Sequence, residues 1–165
     1  MLDMERFRAY MNEAAGFNRR NGIRFTVVEE GYCECEVELT EDSLNPQGVA
    51  HGSLIFALCD CVTGMATAST GRGMLTQAAH IHYLRPGTGT KLTARSRLIH
   101  NGRQTALCIG EVFDDQDRLV ATGQFEVFYT SDGLRLPEKG ADGVWRSVPD
   151  EAPARNREEC SHGTD

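Results

Sequence analysis

The chain has 165 residues, a length that favours one domain with a sizeable core. Its formal net charge of -7 argues against a general nucleic-acid binder, which needs surplus Lys and Arg to replace counterions. No apolar run reaches the length of a membrane span, and the N-terminal residues lack the apolar stretch of a secretory leader, so a cytoplasmic protein is expected.

Residues 2–15 read as an amphipathic helix, with Leu2, Phe7, Tyr10, Met11 and Ala14 sharing one face. Gly16 stands where that helix is expected to end. Two strands are predicted over 23–30 and 32–39, around Gly31. The second alternates cleanly: Cys33, Cys35, Val37 and Leu39 on one side, Glu34, Glu36 and Glu38 on the other. A loop, 40–50, contains Asn45-Pro46-Gln47-Gly48.

Residues 51–69 differ in kind. Leu54, Ile55, Phe56, Ala57, Leu58, Val62, Met65 and Ala66 lie nearly all around a helix, so burial on most sides is expected. Four strands follow, over 75–84, 91–100, 105–113 and 119–129, with Asn101-Gly102 as a hairpin signal. From residue 131 the chain turns polar and proline-containing, which predicts a loosely attached, mobile tail over 131–165 after a domain of 1–130. Trp145 is the exception in that tail and a candidate to dock. Helix, two strands, buried helix, four strands: the economical solution is an α+β fold in which an antiparallel sheet curls around the central helix. That is the hotdog architecture. One copy leaves apolar surface open, so a homodimer, or a dimer of dimers, is expected to cover it.

The six Cys show no two-residue spacing of a redox or zinc motif and read as buried small hydrophobes in a reduced compartment. Cys160 and His162 give only two donors in a polar tail, too few for a metal site. His80 and His82 fall on one strand face and suggest a metal pair, but a polar face against a neighbouring subunit is the preferred reading, and no metal is assigned.

Asp60 is the costly residue, a carboxylate in an apolar helix. Ser53, Phe56, Gly64 and Thr67 share its stripe, and much of that stripe is small or polar enough to line a cavity. At the helix start, Gly48, His51, Gly52 and Ser53 surround free backbone N–H groups, the chemistry of an oxyanion hole. His51 and Asp60 suggest a catalytic pair, but nine residues of helix span roughly 13 Å. One chain cannot easily bring both to one reacting group. Two antiparallel copies can, which predicts a site shared across a dimer.

Asn45-Pro46-Gln47-Gly48-Val49-Ala50-His51-Gly52-Ser53, followed by Asp60, resembles the signature of phenylacetyl-CoA-type hotdog thioesterases. Tyr83-Leu84-Arg85-Pro86, His100-Asn101-Gly102-Arg103 and Val120-Ala121-Thr122-Gly123 resemble later strand markers of that family. Ser53 departs from it, since a second Gly is usual there. The resemblance implies hydrolysis of an acyl-CoA. Asp60 is then the nucleophile or general base and the Gly52 N–H the oxyanion donor. Asn45 and His51 orient these groups, and Thr76 positions water. Arg85, Arg103 and Lys91 are the candidates for the coenzyme A phosphates. No cofactor is implied. The alternatives are a non-catalytic acyl-CoA binding module and a hotdog enoyl-CoA hydratase.

Overall fold

The computed structural model describes residues 2–148. Helix α1 (Met4–Glu13) begins where the Asp3 carboxylate accepts from the Arg6 N–H at 2.9 Å, which satisfies one orphan donor of the first turn. Phe7 is its buried anchor. Gly16 does not simply stop the chain of helix; it opens a second short helix, α2 (Gly16–Arg20), on which Phe17 stays exposed.

Six strands follow: β1 (Arg24–Glu29), β2 (Tyr32–Glu38), β3 (Gly73–Tyr83), β4 (Lys91–Asn101), β5 (Thr105–Asp114) and β6 (Leu119–Ser131). All pair antiparallel, in the order β1-β2-β4-β5-β6-β3. Helix α3 (Gly52–Ala68) lies between β2 and β3 in the chain and crosses one face of the sheet. The alternation of 32–39 holds: Cys33, Cys35 and Val37 are buried beneath α3 and the glutamates face outward. Leu58, Cys59, Val62 and Ala66 of α3 meet Phe25, Leu92, Val112 and Phe125 of the sheet in one core. Gly110 allows the close approach, since a Cβ there would come within 3.0 Å of the Thr63 methyl and 3.3 Å of the Cys59 carbonyl. This is the hotdog arrangement expected.

The helix is less enclosed than its composition predicts. Phe56 is 37% exposed, and Gly52 and Asp60 are half-buried. The sheet stops at β3, its outermost strand, so the Gly52–Phe56–Asp60 stripe is left uncovered.

Residues 132–148 also depart from expectation. Rather than hanging free, they form a strap across α1. The Arg6 guanidinium donates to the carbonyls of Leu136 (2.8 Å) and Pro137 (2.9 Å), and Leu136 is buried. A small hairpin, β7 (Glu138–Lys139) with β8 (Trp145–Arg146), then sets Trp145 edge-on to Tyr10, with its indole N–H on Glu13 at 3.0 Å. A polar composition concealed this because the few apolar anchors, Leu134, Leu136 and Trp145, are spaced among charged residues and are joined by backbone carbonyls and ion pairs. Cys160 and His162 lie outside the described residues.

Candidate active site

The loop before α3 is built by Asn45. Its side-chain oxygen accepts from the N–H groups of Gln47 (3.0 Å) and Val49 (3.3 Å), closing a tight turn. Gly48 takes φ +75° inside it, a conformation costly for residues with a Cβ. The Ala50 N–H then donates to Gly87 and the His51 N–H to Ser43, so the entry to the helix is fixed from two sides. His51 is the N-cap: its Nδ1 accepts from the Ser53 N–H at 3.1 Å, with the Ser53 hydroxyl at 2.5 Å. The departure at position 53 therefore adds a second contact to the capping imidazole.

Among the described residues, nothing accepts from the Gly52 N–H. Its carbonyl is held by the Tyr83 hydroxyl at 3.1 Å, a residue that sequence reasoning did not single out as functional. Burial raises the Tyr83 pKa, and the nearby Cys59 adds to this, so the phenol stays a donor. Tyr83 was visible only as part of a strand ending, because its contact joins the far end of β3 to the first turn of α3.

Asp60 projects from the same stripe. Thr76 donates its hydroxyl to Asp60 Oδ1 at 2.8 Å. A bulge makes this possible: β3 pairs with β6 through Thr76↔Val127 and then Ala78↔Glu126, with Gln77 as the extra residue. Thr76 thus shares the inner face with buried Val127, whereas His80 and His82 share the outer face with exposed Gln124 and with Thr122. The thiols beside Asp60 are poor rivals as nucleophiles. Burial, and then the charge of Asp60, push Cys59 and Cys61 up to about 12.

The three candidate cations do not gather within one chain. Lys91 lies at the start of β4, paired to Glu36 at 3.1 Å, and Glu36 also takes Arg24. Arg103 lies past the other end of that 11-residue strand, roughly 35 Å away. Arg85 follows β3 and donates to the Leu119 carbonyl at 2.8 Å. A cleft of about 750 Å³ borders the start of α3, lined by His51, Ser53, Leu54 and Ala57 with Arg19 and Arg20 opposite. It includes neither Gly52 nor Asp60.

Fold and stripe together define a hotdog protein with a carboxylate and a helix start on one open face. Residues 47–121 match the thioesterase superfamily. The acyl-coenzyme A thioesterase PaaI of Escherichia coli K12 is 32% identical over 113 residues, covering 68% of this chain and 79% of PaaI. The chain belongs to the thioesterase superfamily. The structure of E. coli PaaI, from the phenylacetic acid degradation operon, superposes with TM-score 0.73 at 26% identity, covering 79% of this chain and 97% of that one. The smu.793 protein of Streptococcus mutans, bound to acetyl CoA, superposes with TM-score 0.65 at 32% identity, covering 68% and 91%. A hypothetical thioesterase of Streptococcus pneumoniae, solved with coenzyme A, gives TM-score 0.65 at 27% identity, covering 68% and 88%. It was also solved with an aspartate, and separately with a threonine sixteen positions later, replaced by alanine; Asp60 and Thr76 have the same spacing.

Proposed function

We propose that the chain hydrolyses an acyl-coenzyme A thioester to a free acid and coenzyme A. The observation that carries this reading is the open stripe of α3. It presents a carboxylate oriented by a hydroxyl, Asp60 with Thr76, and an unengaged N–H at Gly52. The thioester carbonyl oxygen takes the Gly52 N–H, which stabilises the negative charge that develops on it. Asp60 then attacks the carbonyl carbon, or accepts a proton from the water that does. Either way the C–S bond breaks, the thiolate leaves and takes up a proton, and water supplies the second oxygen of the acid. Asn45 and His51 shape the helix start, and Thr76 holds Asp60. These groups need no metal or organic cofactor.

The two halves of the site come from different copies in this reading. The β3 edge is open along 11 residues, and the apolar stripe around Phe56 is uncovered beside it. A two-fold partner laid antiparallel along β3 covers both and brings Gly52 of one copy to Asp60 of the other. It also brings Arg85 of one copy towards Arg103 of the other, at the mouth of the same site, to meet the phosphates. Lys91 has to share its charge with Glu36 and contributes least. A dimer of dimers would cover the end of the outer face near the start of β3, where Leu75 is 66% and Phe128 44% exposed. The catalytic unit is 1–130, with 131–148 as its strap. Among the described residues five cysteines are free, which suits the reduced cytoplasm, and no helix is long and apolar enough to cross a membrane. The net charge of -7 disfavours nucleic acid as a partner.

The test is a panel of aryl, medium-chain and long-chain acyl-CoAs assayed for free thiol. Thiol release that disappears in Asp60→Asn is the expected result. Binding of acyl-CoA without thiol release would make the chain a binding module, and hydration of an enoyl-CoA would make it a hydratase; each overturns the reading.

A further inference from the structure

The bulge at Gln77 sets His80 and His82 on the face of β3 that points away from Asp60. Their Nε2 atoms are 3.1 Å apart, and their rings meet edge to face with centroids at 4.5 Å. Both residues are exposed. Two imidazoles i and i+2 on a strand have parallel Cβ directions, but nothing in strand geometry forces their ring nitrogens together. Here both rings bring the same nitrogen, Nε2, to within 3.1 Å of the other. Ligands at about 2.0–2.1 Å from a zinc ion, at a tetrahedral angle, stand roughly 3.3–3.4 Å apart. The observed spacing is within a few tenths of an ångström of that bite.

We propose that His80 and His82 form a bidentate chelate for a divalent first-row transition ion. Imidazole nitrogen suits zinc, nickel and copper and leaves calcium and magnesium to oxygen donors. Among the described residues no third His, Cys, Asp or Glu joins the pair, so water fills the remaining positions. The charges around it are favourable. Glu126 pairs with Ala78, diagonal to His80 on the same face, and Glu111 pairs with Thr122, the residue opposite His82. The ion adds no bond to the reacting carbonyl, because Thr76 and the stripe of α3 are on the other face of the sheet. The same 3.1 Å also suits an N–H···N bond from one ring to the other. Uptake of the ion then requires the shared proton to move to the other nitrogen of its ring and both rings to turn their Nε2 lone pairs from each other towards the ion. The chain alone supplies both donors, so the site does not depend on the dimer or on the reaction above.

The experiment is calorimetric titration of the chelator-stripped full chain with zinc chloride, repeated with copper(II) for electron paramagnetic resonance. The wild type should bind one ion per chain, and the copper signal should carry hyperfine coupling from two equivalent imidazole nitrogens. His80→Ala and His82→Ala should each weaken binding on the order of 100-fold, because one donor is lost from a chelate whose second bond was intramolecular. Without metal, both variants should keep the wild-type melting temperature and thiol release. A wild type that takes up no zinc overturns the site. So does a His80→Ala/His82→Ala double variant that binds as the wild type does, because the donors would then lie elsewhere, as at Cys160 and His162.

Discussion

The Thr76 hydroxyl and the Asp60 carboxylate meet at 2.8 Å although they are sixteen residues apart in the chain. The bond spans the gap between helix and sheet edge, and it occupies Oδ1 alone. Oδ2 stays available to water or to a carbonyl carbon. Thr76→Ala should therefore lower kcat by up to about 100-fold with little change in KM, as expected for a misplaced catalytic group. Thr76→Ser should restore most of it. A full-rate Thr76→Ala enzyme would remove Thr76 from the mechanism. Asp60→Asn, near-isosteric but unable to attack or accept a proton productively, should lose roughly 100- to 10,000-fold while melting as the wild type does.

Asp60 could be found in the sequence because a carboxylate among Leu58, Cys59, Cys61 and Val62 needs a reason to be there. The alternation of β2 was legible from the two-residue period of a strand, and α3 from a long segment apolar on nearly every side. Thr76 had the right residue type, but its direction depended on the bulge at Gln77, which strict alternation does not reveal. The bond from Tyr83 to the Gly52 carbonyl was not legible in the sequence because it is a tertiary contact. The exposure of the α3 stripe was missed because an apolar helix looks the same in sequence whether its own sheet or another copy covers it. The pairing of Lys91 with Glu36 was equally hidden, since it depends on the β2–β4 register.

The strap gives a stability prediction. Leu134 and Leu136 pack on the core, and the Leu134 N–H donates to the Gly71 carbonyl just past α3. Ending the chain at Ser131 should therefore cost about 2–4 kcal/mol, the worth of one or two buried leucines with their partners. For a chain of this size that lowers the melting temperature by roughly 5–15 °C. Trp145→Ala, which strips the contacts to Tyr10, Glu13 and Lys139, should cost less. A truncated chain that melts with the full-length protein would show that the strap adds nothing to the fold.

Asp114 sets the acid limit of the β5–β6 turn. Burial alone would raise its pKa, but the N–H and guanidinium of Arg118 and the N–H of Gln116 outweigh that and hold it below the ordinary 3.8. A depressed carboxylate contributes stability that is complete above its ordinary pKa and is lost as the pH falls through the depressed value. Asp114→Asn should lower stability at neutral pH by about 1–3 kcal/mol, the range for bonds to a charged group. The gap to the wild type should narrow as the pH falls through the depressed value and the wild-type carboxylate takes up its proton. Denaturant melts at pH 7 and pH 2.5 measure this; a gap that is constant with pH would mean that the charge is not what the turn uses.

The shared site can be tested by complementation. Gly52→Asp puts a carboxylate at the oxyanion position, and its Cβ would meet the Tyr83 ring at 3.7 Å, an ordinary contact, so the chain should still fold. Its homodimer should be inactive because the added charge repels the developing oxyanion. The Asp60→Asn homodimer should be inactive for lack of the carboxylate. When the two variants are unfolded together in equal amounts and refolded, random pairing makes about half of the dimers mixed. In a mixed dimer one site receives both defects and the other receives neither. Activity should therefore return to about a quarter of the wild-type level, from one sound site in half of the dimers. If Gly52 and Asp60 served one site within a single chain, every site in the mixture would carry a defect. Mixed dimers, verified by mass, that regain no activity would place both residues in the same chain's site.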